Sequence, residues 1–295
     1  MIDLHTHSTY SDGTLSPQAL AELASSSGLS AVALCDHNNV DGLPEFLAAA
    51  HGMSLTAIPG VEFSTRFAGQ EIHLLGLFIS PEHYDTVRDR LRLLLEEKDR
   101  KNKQMLSAMA EAGLSLDYDS IKAATPGGLV NRAVIAGELV RLGHCGSVQE
   151  AFDLWLSRER GFFHPARLPD SLDTIRFIRS IGAVSVLAHP FVSLDENALR
   201  HFLEAAVPAG LDAMEVRYAT FTPEQTTLAE KIAAEFGLLP SGGSDFHGSN
   251  KPEISIGTGK GSLFVPEAFL EALCRRQKTH AKKTGSIWKI PDNLV

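Results

Sequence analysis

The sequence predicts an α/β protein built on a parallel sheet or a closed α/β barrel, with a helical segment inserted near its middle. Three observations predict it. Short apolar runs alternate with helical patterns over the first 80 residues and again after residue 170. Histidines and acids recur in or just past successive apolar runs, the edge where α/β barrels assemble their sites. Between the two halves, 85–124 and 130–158 read as helical, and 85–124 is strongly charged, with no evident strand.

The opening MIDLHTHST supplies the first strand. Ser16 followed by Pro17 starts a helix over 17–27, with serine as the cap and proline in the first turn. The runs 31–35, 55–62 and 72–79 read as buried parallel strands, with a helix over 42–51. A helix over 171–181 ends at Gly182 and leads into the strand AVSVLAHP, 183–190. Helix 195–206 precedes the strand DAMEVRY, 212–218. Helix 223–236 ends at Gly237 before LLPSGGSDFHG, 238–248. The expected division is a discontinuous α/β domain over 1–99 and 166–275, a helical insertion or cap over 100–165, and a tail over 276–295.

Of the 295 residues, 44% are hydrophobic and 21% charged, which suits a globular chain with a sizeable core. The net charge of −9 argues against long nucleic acid or an anionic membrane as partner. A small anionic substrate stays open, because bound metal ions reverse the sign of a pocket locally. No secretory signal or membrane-length apolar run is evident, and no obligatory protein partner is implied. Cys35, Cys145 and Cys274 are far apart and form no C-x-x-C pair, which fits a reducing cytoplasm. The run 88–101 reads as an amphipathic helix, and His51, His83, His144, His201 and His280 as solvated.

His5 and His7 form an H-x-H pair, which on a strand turns two imidazoles toward one metal. His37 follows the second strand, and Glu62 closes the third. His73 begins the next strand, His189 ends VLAHP, and Asp245 and His247 lie in SGGSDFHG. One histidine at a strand end is ordinarily a satisfied core residue. Six histidines with Asp12, Glu62 and Asp245 over successive strand ends form a ligand set, because buried charge is costly unless paired or metal-bound. Nitrogen and oxygen donors without thiolate suit manganese, iron or zinc. Asp36, beside His37, reads as structural.

The motifs HTHSTYSDG at 5–13, DHN at 36–38, GVEFS at 60–64, the His73 strand, AHP at 188–190 and GSDFH at 243–247 together resemble the PHP (polymerase and histidinol phosphatase) family. The match runs through both halves of the chain, roughly 1–80 and 170–260. The resemblance implies a distorted (β/α)7 barrel, an amidohydrolase-like arrangement, holding two to three divalent metals, with manganese foremost. It places His5, His7, Glu62 and Asp245 on the first metal and Glu62, His73 and His189 on the second. Asp12, His37 and His247 fall to the third. Glu62, His189 and Asp245 are then catalytic through the metals, with a hydroxide bridging the first two attacking phosphorus.

Within that family the insertion decides the substrate. Arginine suits bidentate phosphate recognition, so Arg132, Arg158 and Arg160 are candidates to reach over the metals to a second phosphate. Arg217, after MEVRY, is another, whereas Arg141 and Arg167 read as surface. Asn131-Arg132 and AFDLWL (151–156) resemble the branch often called TrpH-like, although Ala133 and Val134 stand where that branch carries Pro-His; His164 is a candidate for the replacement polar contact, with a surface or core position as the alternative. Phe162, Phe163, Tyr218 and Phe246 are candidates to stack a base.

The branch implies a phosphoric ester hydrolase removing the 3′-phosphate of 3′,5′-nucleoside bisphosphates such as pAp. Its alternative is a 5′-3′ exoribonuclease acting on very short RNA. A histidinol-phosphate phosphatase fits less well, since Asp12 stands where that enzyme commonly uses histidine. The proofreading nuclease domain of replicative polymerases lacks its polymerase here. A non-catalytic, metal-stabilised nucleotide-binding module is the reading from outside enzymology, and the intact nine positions count against it.

Overall fold

The computed structural model describes residues 1–284. In chain order, β1 (Ile2–Thr6), α1 (Pro17–Ser26), β2 (Ala31–Leu34) and α2 (Leu43–Ala50) lead into a long β3 (Thr56–Phe67) and β4 (Gln70–Leu77). Then come α3 (Tyr84–Glu111), α4 (Tyr118–Ala124), α5 (Arg132–Arg141) and the short α6 (Val148–Ala151), extended by a π turn over Phe152–Leu156. The second half runs α7 (Ser171–Ser180), β5 (Val184–Leu187), α8 (Pro190–Ser193), α9 (Glu196–Ala209), β6 (Ala213–Tyr218), α10 (Pro223–Glu235), β7 (Leu239–Gly243) and α11 (Glu267–Thr284).

The strands make one seven-stranded sheet in the order β1 to β7. It curls until its ends meet: Asp245 N donates to His5 O at 2.8 Å, and His7 N to Phe246 O at 2.9 Å. The result is a nearly closed α/β barrel. Glycine permits the closure, since a Cβ on Gly243 would lie 2.5 Å from the His5 Cβ.

One strand departs from the expectation of parallel pairing. β4 runs antiparallel to both β3 and β5. Ala68 and Gly69 join β3 to β4 in two residues, both with positive φ (47° and 86°), which is a tight hairpin with no room for a crossover helix. The reversal has a consequence for the site. It brings the start of β4, with His73 paired to Ser64, to the rim where the parallel strands end.

Local chemistry explains the ends of the helices. Ser16 Oγ accepts from Ala19 N at 3.1 Å, with Pro17 in the first turn. Thr222 and Gln225 cap α10 reciprocally. Apolar side chains divide into three clusters. One lies between barrel and outer helices, including Phe46, Phe63, Phe202 and Ile232. A second fills the barrel with Ile2, Leu4, Ile58, Leu75 and Val186, and is sealed below by Leu270, Leu273 and Cys274 of α11. The third, spanning Met105 to Leu156, belongs to the inserted helices.

The expected break at 99/100 falls inside α3, a continuous helix that packs Leu91 and Leu94 on the barrel layer and Met105 and Met109 on the insertion. Residues 276–284, expected as tail, continue α11; residues 285–295 of that expectation lie outside the described residues. His280 is buried rather than solvated, with Nε2 3.0 Å from both Asp212 oxygens, and Arg276 reaches the same carboxylate at 2.7 Å. This network fastens α11 under the barrel. Among the described residues no helix is long and apolar enough to cross a membrane.

Candidate metal centre

The barrel brings all nine predicted ligands together at one rim. His5 lies on β1, His7 just beyond it, and Asp12 in the following loop. Gly13 is required there, because a Cβ would meet the His7 carbonyl oxygen at 2.3 Å. His37 follows β2 and bridges to Glu62, which sits within β3 rather than at its end. His189 follows β5, and Asp245 and His247 follow β7. Asn38, His189 and Asp245 carry positive φ (51°, 27° and 54°), a clustering of backbone strain typical of functional sites.

Glu62 is the hub. Its Oε2 faces His5 Nε2 (3.3 Å), His7 Nε2 (3.3 Å) and His37 Nδ1 (3.0 Å), while Oε1 faces His73 Nδ1 (2.8 Å) and His189 Nε2 (3.0 Å). Asp245 Oδ1 lies 3.1 Å from His7 Nε2 and 3.7 Å from His5 Nε2. Asp12 Oδ1 lies 3.2 Å from His247 Nε2, and its Oδ2 3.8 Å from His37 Nε2. Four overlapping groups are tight enough to hold an ion: His7, Asp12, His37 and His247; His5, His7 and Asp245; His5, Glu62 and His189; His37, Glu62 and His73. His7 thus joins the Asp12 group, and His73 and His189, both against Glu62 Oε1, fall in separate groups, with His37 and with His5 respectively.

Buried charge shapes the protonation. Burial alone would raise the Glu62 pKa, but His37, His73, His5 and the hydrogen bond with His189 outweigh it and hold the carboxyl well below its usual range. Burial alone would lower that of His73; Glu62 and Glu71 reverse the shift and raise it to about 10. His7 is lowered by burial and by the facing His247. Asp245 and Asp12 are both lowered, their burial outweighed by surrounding histidines.

The donor set fits metal ions by a direct criterion. Among the described residues His5 Nε2, His7 Nε2, Asp12 Oδ1, His37 Nδ1 and Glu62 Oε2 are buried without a hydrogen-bond partner, and each residue belongs to at least one of the four overlapping groups. Buried polar atoms are ordinarily satisfied, and five orphans converging in one place are what a cation would satisfy.

Several supporting residues escaped the sequence reading. Glu215 on β6 accepts from His5 Nδ1 at 3.0 Å and from His189 N at 2.6 Å, orienting the Nε2 of His5 toward Glu62. A glutamate inside the apolar strand AMEVRY was the available signal. Tyr218, nominated for stacking, is buried and donates to Asp245 Oδ2 at 2.7 Å, where Lys251 also binds at 2.7 Å. Asp3 holds Ser244 N and Oγ and Gly257 N, fixing the loop that carries Asp245 and His247. Asp36 accepts from Ser8 and Ser11, and Ser11 Oγ approaches His7 Nδ1 at 3.4 Å, so this acid stiffens the His7 loop.

Above the rim a cavity of about 310 Å³ separates barrel from insertion. Asp12, His37 and His73 line its floor; Lys98, Lys101, Arg132, Arg158 and Glu71 are among its wall residues, with Asn131, Phe152, Phe163 and His164. Lys98, Lys101, Arg132 and Arg158 form no ion pair among the described residues. Arg132 stands over the Phe163 ring at 4.0 Å and near Phe152 at 5.6 Å, with Nη1 bonded to Leu156 O at 3.3 Å. Burial and then the Arg158 charge lower its pKa. Asn131 Oδ1 is spent capping α5 through Val134 N at 2.9 Å. Lys98 and Lys101 were hidden in the charged face of α3.

Two predicted substrate residues are elsewhere. Arg160 is exposed and donates through Nε to Asp153 O at 2.7 Å. Arg217 is turned away by a register shift in β6 after Glu215, and its guanidinium is held by Glu230 of α10 at 2.6 Å. Of the proposed stacking aromatics, Phe163 lines the cavity, Phe162 packs against Trp155, and Phe246 is buried. Arg141 is exposed and pairs with Glu138, as expected.

A PHP domain family model matches residues 3–154. A 5′-3′ exoribonuclease of Haemophilus influenzae is 32% identical over 250 residues, covering 83% of this chain and 89% of that protein. A 3′,5′-nucleoside bisphosphate phosphatase of Chromobacterium violaceum is 26% identical over 258 residues, covering 87% and 90%. The solved structure of a Bifidobacterium adolescentis protein, provisionally named a metal-dependent phosphoesterase, superposes with a TM-score of 0.81 at 26% identity, covering 93% of this chain and 96% of that one. Fold, rim and relatives together define an enzyme of the phosphoric ester hydrolase class. The chain belongs to the PHP domain family.

Proposed function

We propose that this enzyme removes the 3′-phosphate of 3′,5′-nucleoside bisphosphates, using two to three divalent ions, manganese foremost, held by His5, His7, Asp12, His37, Glu62, His73, His189, Asp245 and His247. The observation that carries this reading is a cavity whose floor is the ligand cluster and whose walls hold four cations against one carboxylate, Glu71, with none of the four in an ion pair among the described residues. Such a space suits a substrate with one phosphate over the cluster and a second among Lys98, Arg132 and Arg158.

When bound, the ions would neutralise the nonbridging phosphate oxygens and make a water acidic enough to attack. The chain's own residues hold and orient. Glu62 offers one oxygen to His5, His7 and His37 and the other to His73 and His189, and Glu215 fixes the His5 ring. Arg132, its plane set by Phe163, presents its fork to the 5′-phosphate. In the reaction a water oxygen bonds to phosphorus, the bond from phosphorus to the 3′-oxygen breaks, and a proton passes to that oxygen. Phosphate and a 5′-mononucleotide are the products.

A 5′-3′ exoribonuclease activity on very short RNA is the second reading, favoured by the Haemophilus relative of that name. It breaks the same bond with a nucleotide in place of a terminal phosphate. The test is product formation with manganese from pAp, a 5′-phosphorylated dinucleotide and histidinol phosphate. Preferred hydrolysis of histidinol phosphate would refute the nucleotide assignment. Tight nucleotide binding without turnover of any phosphoester would refute catalysis.

A further inference from the structure

The cationic cavity occupies one flank of the metal centre; His189, Tyr218 and Asp245 stand on the other and do not line it. On that second flank aromatic rings climb outward in steps. His189 lies 5.4 Å from Tyr218, Tyr218 5.2 Å from Phe221, and Phe221 5.4 Å from Phe191, centroid to centroid. Tyr218 is buried and tied to Asp245, whereas Phe191 and Phe221 are each half-buried. Val192, beside Phe191, is 58% exposed. Two partly open phenyl rings and an exposed valine, beside a cluster of imidazoles and carboxylates, form an apolar rim where solvent would ordinarily favour polar side chains.

A scissile phosphate over the cluster has two substituents if it is a diester. With the 5′-side nucleoside in the cavity, as proposed above, the second flank is the open side of the cluster left for the other substituent. Resting on the nucleotide reading above, we propose that, when short RNA is the substrate, Phe221, Phe191 and Val192 form the platform on which the nucleobase 3′ to the scissile phosphate stacks. Stacking on aromatic faces tolerates any base, so the platform selects for the presence of a second nucleotide and not for its identity. Bond breaking is unchanged: water adds to phosphorus, the 3′-oxygen of the first nucleotide leaves with a proton, and the second nucleotide departs with a 5′-phosphate.

The test compares kcat/KM on a 5′-phosphorylated dinucleotide with that on pAp, for the manganese-loaded enzyme and for Phe221→Leu, Phe221→Trp and Val192→Ala. Leucine keeps apolar volume against the core but removes the π-face. The dinucleotide-to-pAp ratio is expected to fall about tenfold in Phe221→Leu, through KM, and to return in Phe221→Trp. Val192→Ala, at an exposed position, should lower it by a smaller factor with no loss of melting temperature. An unchanged ratio in both Phe221→Leu and Val192→Ala overturns the platform. So does a wild-type enzyme that cleaves pAp but not the dinucleotide, and the nucleotide reading survives that result. Failure to cleave either substrate removes the nucleotide reading itself.

Discussion

Arg132 gives the sharpest test of how the substrate is held. Its guanidinium is fixed before any ligand arrives, 4.0 Å over Phe163 and anchored to Leu156 O, with no ion pair among the described residues. Replacing it by alanine removes a charge-assisted, bidentate contact of about 1.5–3 kcal/mol. That corresponds to a rise in KM for pAp of roughly 10- to 150-fold. On the proposed reading the 5′-phosphate would be bound equally in ground and transition states, so kcat should change little. Arg132→Lys keeps the charge but loses the planar fork, and should recover only part of the loss. The assay is steady-state phosphate release from pAp and from p-nitrophenyl phosphate, which has no second phosphate and should suffer far less. Equal losses on both substrates, or a fall in kcat at constant KM, would refute the assignment.

Other consequences concern the cluster and the barrel floor. For the wild-type chain of 295 residues, one manganese ion at a hundred times its Kd adds about 2.7 kcal/mol, a shift of roughly 4 °C; Glu62→Ala should abolish most of it in a calorimetric scan. At pH 8 His73 of the metal-free protein holds its proton, since its pKa is raised to about 10, and a ligand must be neutral. Loading should therefore release protons, read by titration calorimetry as an apparent enthalpy that varies with the ionisation enthalpy of the buffer. Burial raises the Asp212 pKa, but the hydrogen bond with His280 and the pairing with Arg276 outweigh it and lower it overall. A depressed carboxyl contributes stability above its unfolded pKa of about 3.9 and loses it as pH falls through the folded value. The melting temperature of Asp212→Asn should lie below wild type at pH 7, and the gap should narrow below about pH 4.

The strand ends and their ligands were legible because a buried imidazole or carboxylate stands out inside an apolar run. Strand direction was not, since residues 72–79 are equally apolar whichever way they run. The two-residue connection at Ala68-Gly69 was the feature that marked a hairpin. Glu215 was concealed by the same alternation that revealed Glu62: it supports a ligand and carries no motif of its own. The insertion was harder. Arg132 and Arg158 reach the cavity, yet Arg160 and Arg217 are bound elsewhere, to a carbonyl and to Glu230. Sequence offers an arginine but not its rotamer or its nearest acid. Lys98 and Lys101 were lost in a charged helix because their face is decided by packing of α3 on two cores.

On the proposed function, nine rim residues hold the ions on which phosphoester hydrolysis depends. The most direct test is to strip the enzyme with a chelator, restore manganese in measured equivalents, and follow bound metal and phosphate release from pAp together. The expected result is negligible turnover of the stripped protein, recovery in step with the first two to three equivalents, and loss of both uptake and turnover in Glu62→Ala. Full turnover by the stripped enzyme, or an active Glu62→Ala that binds no metal, would contradict it.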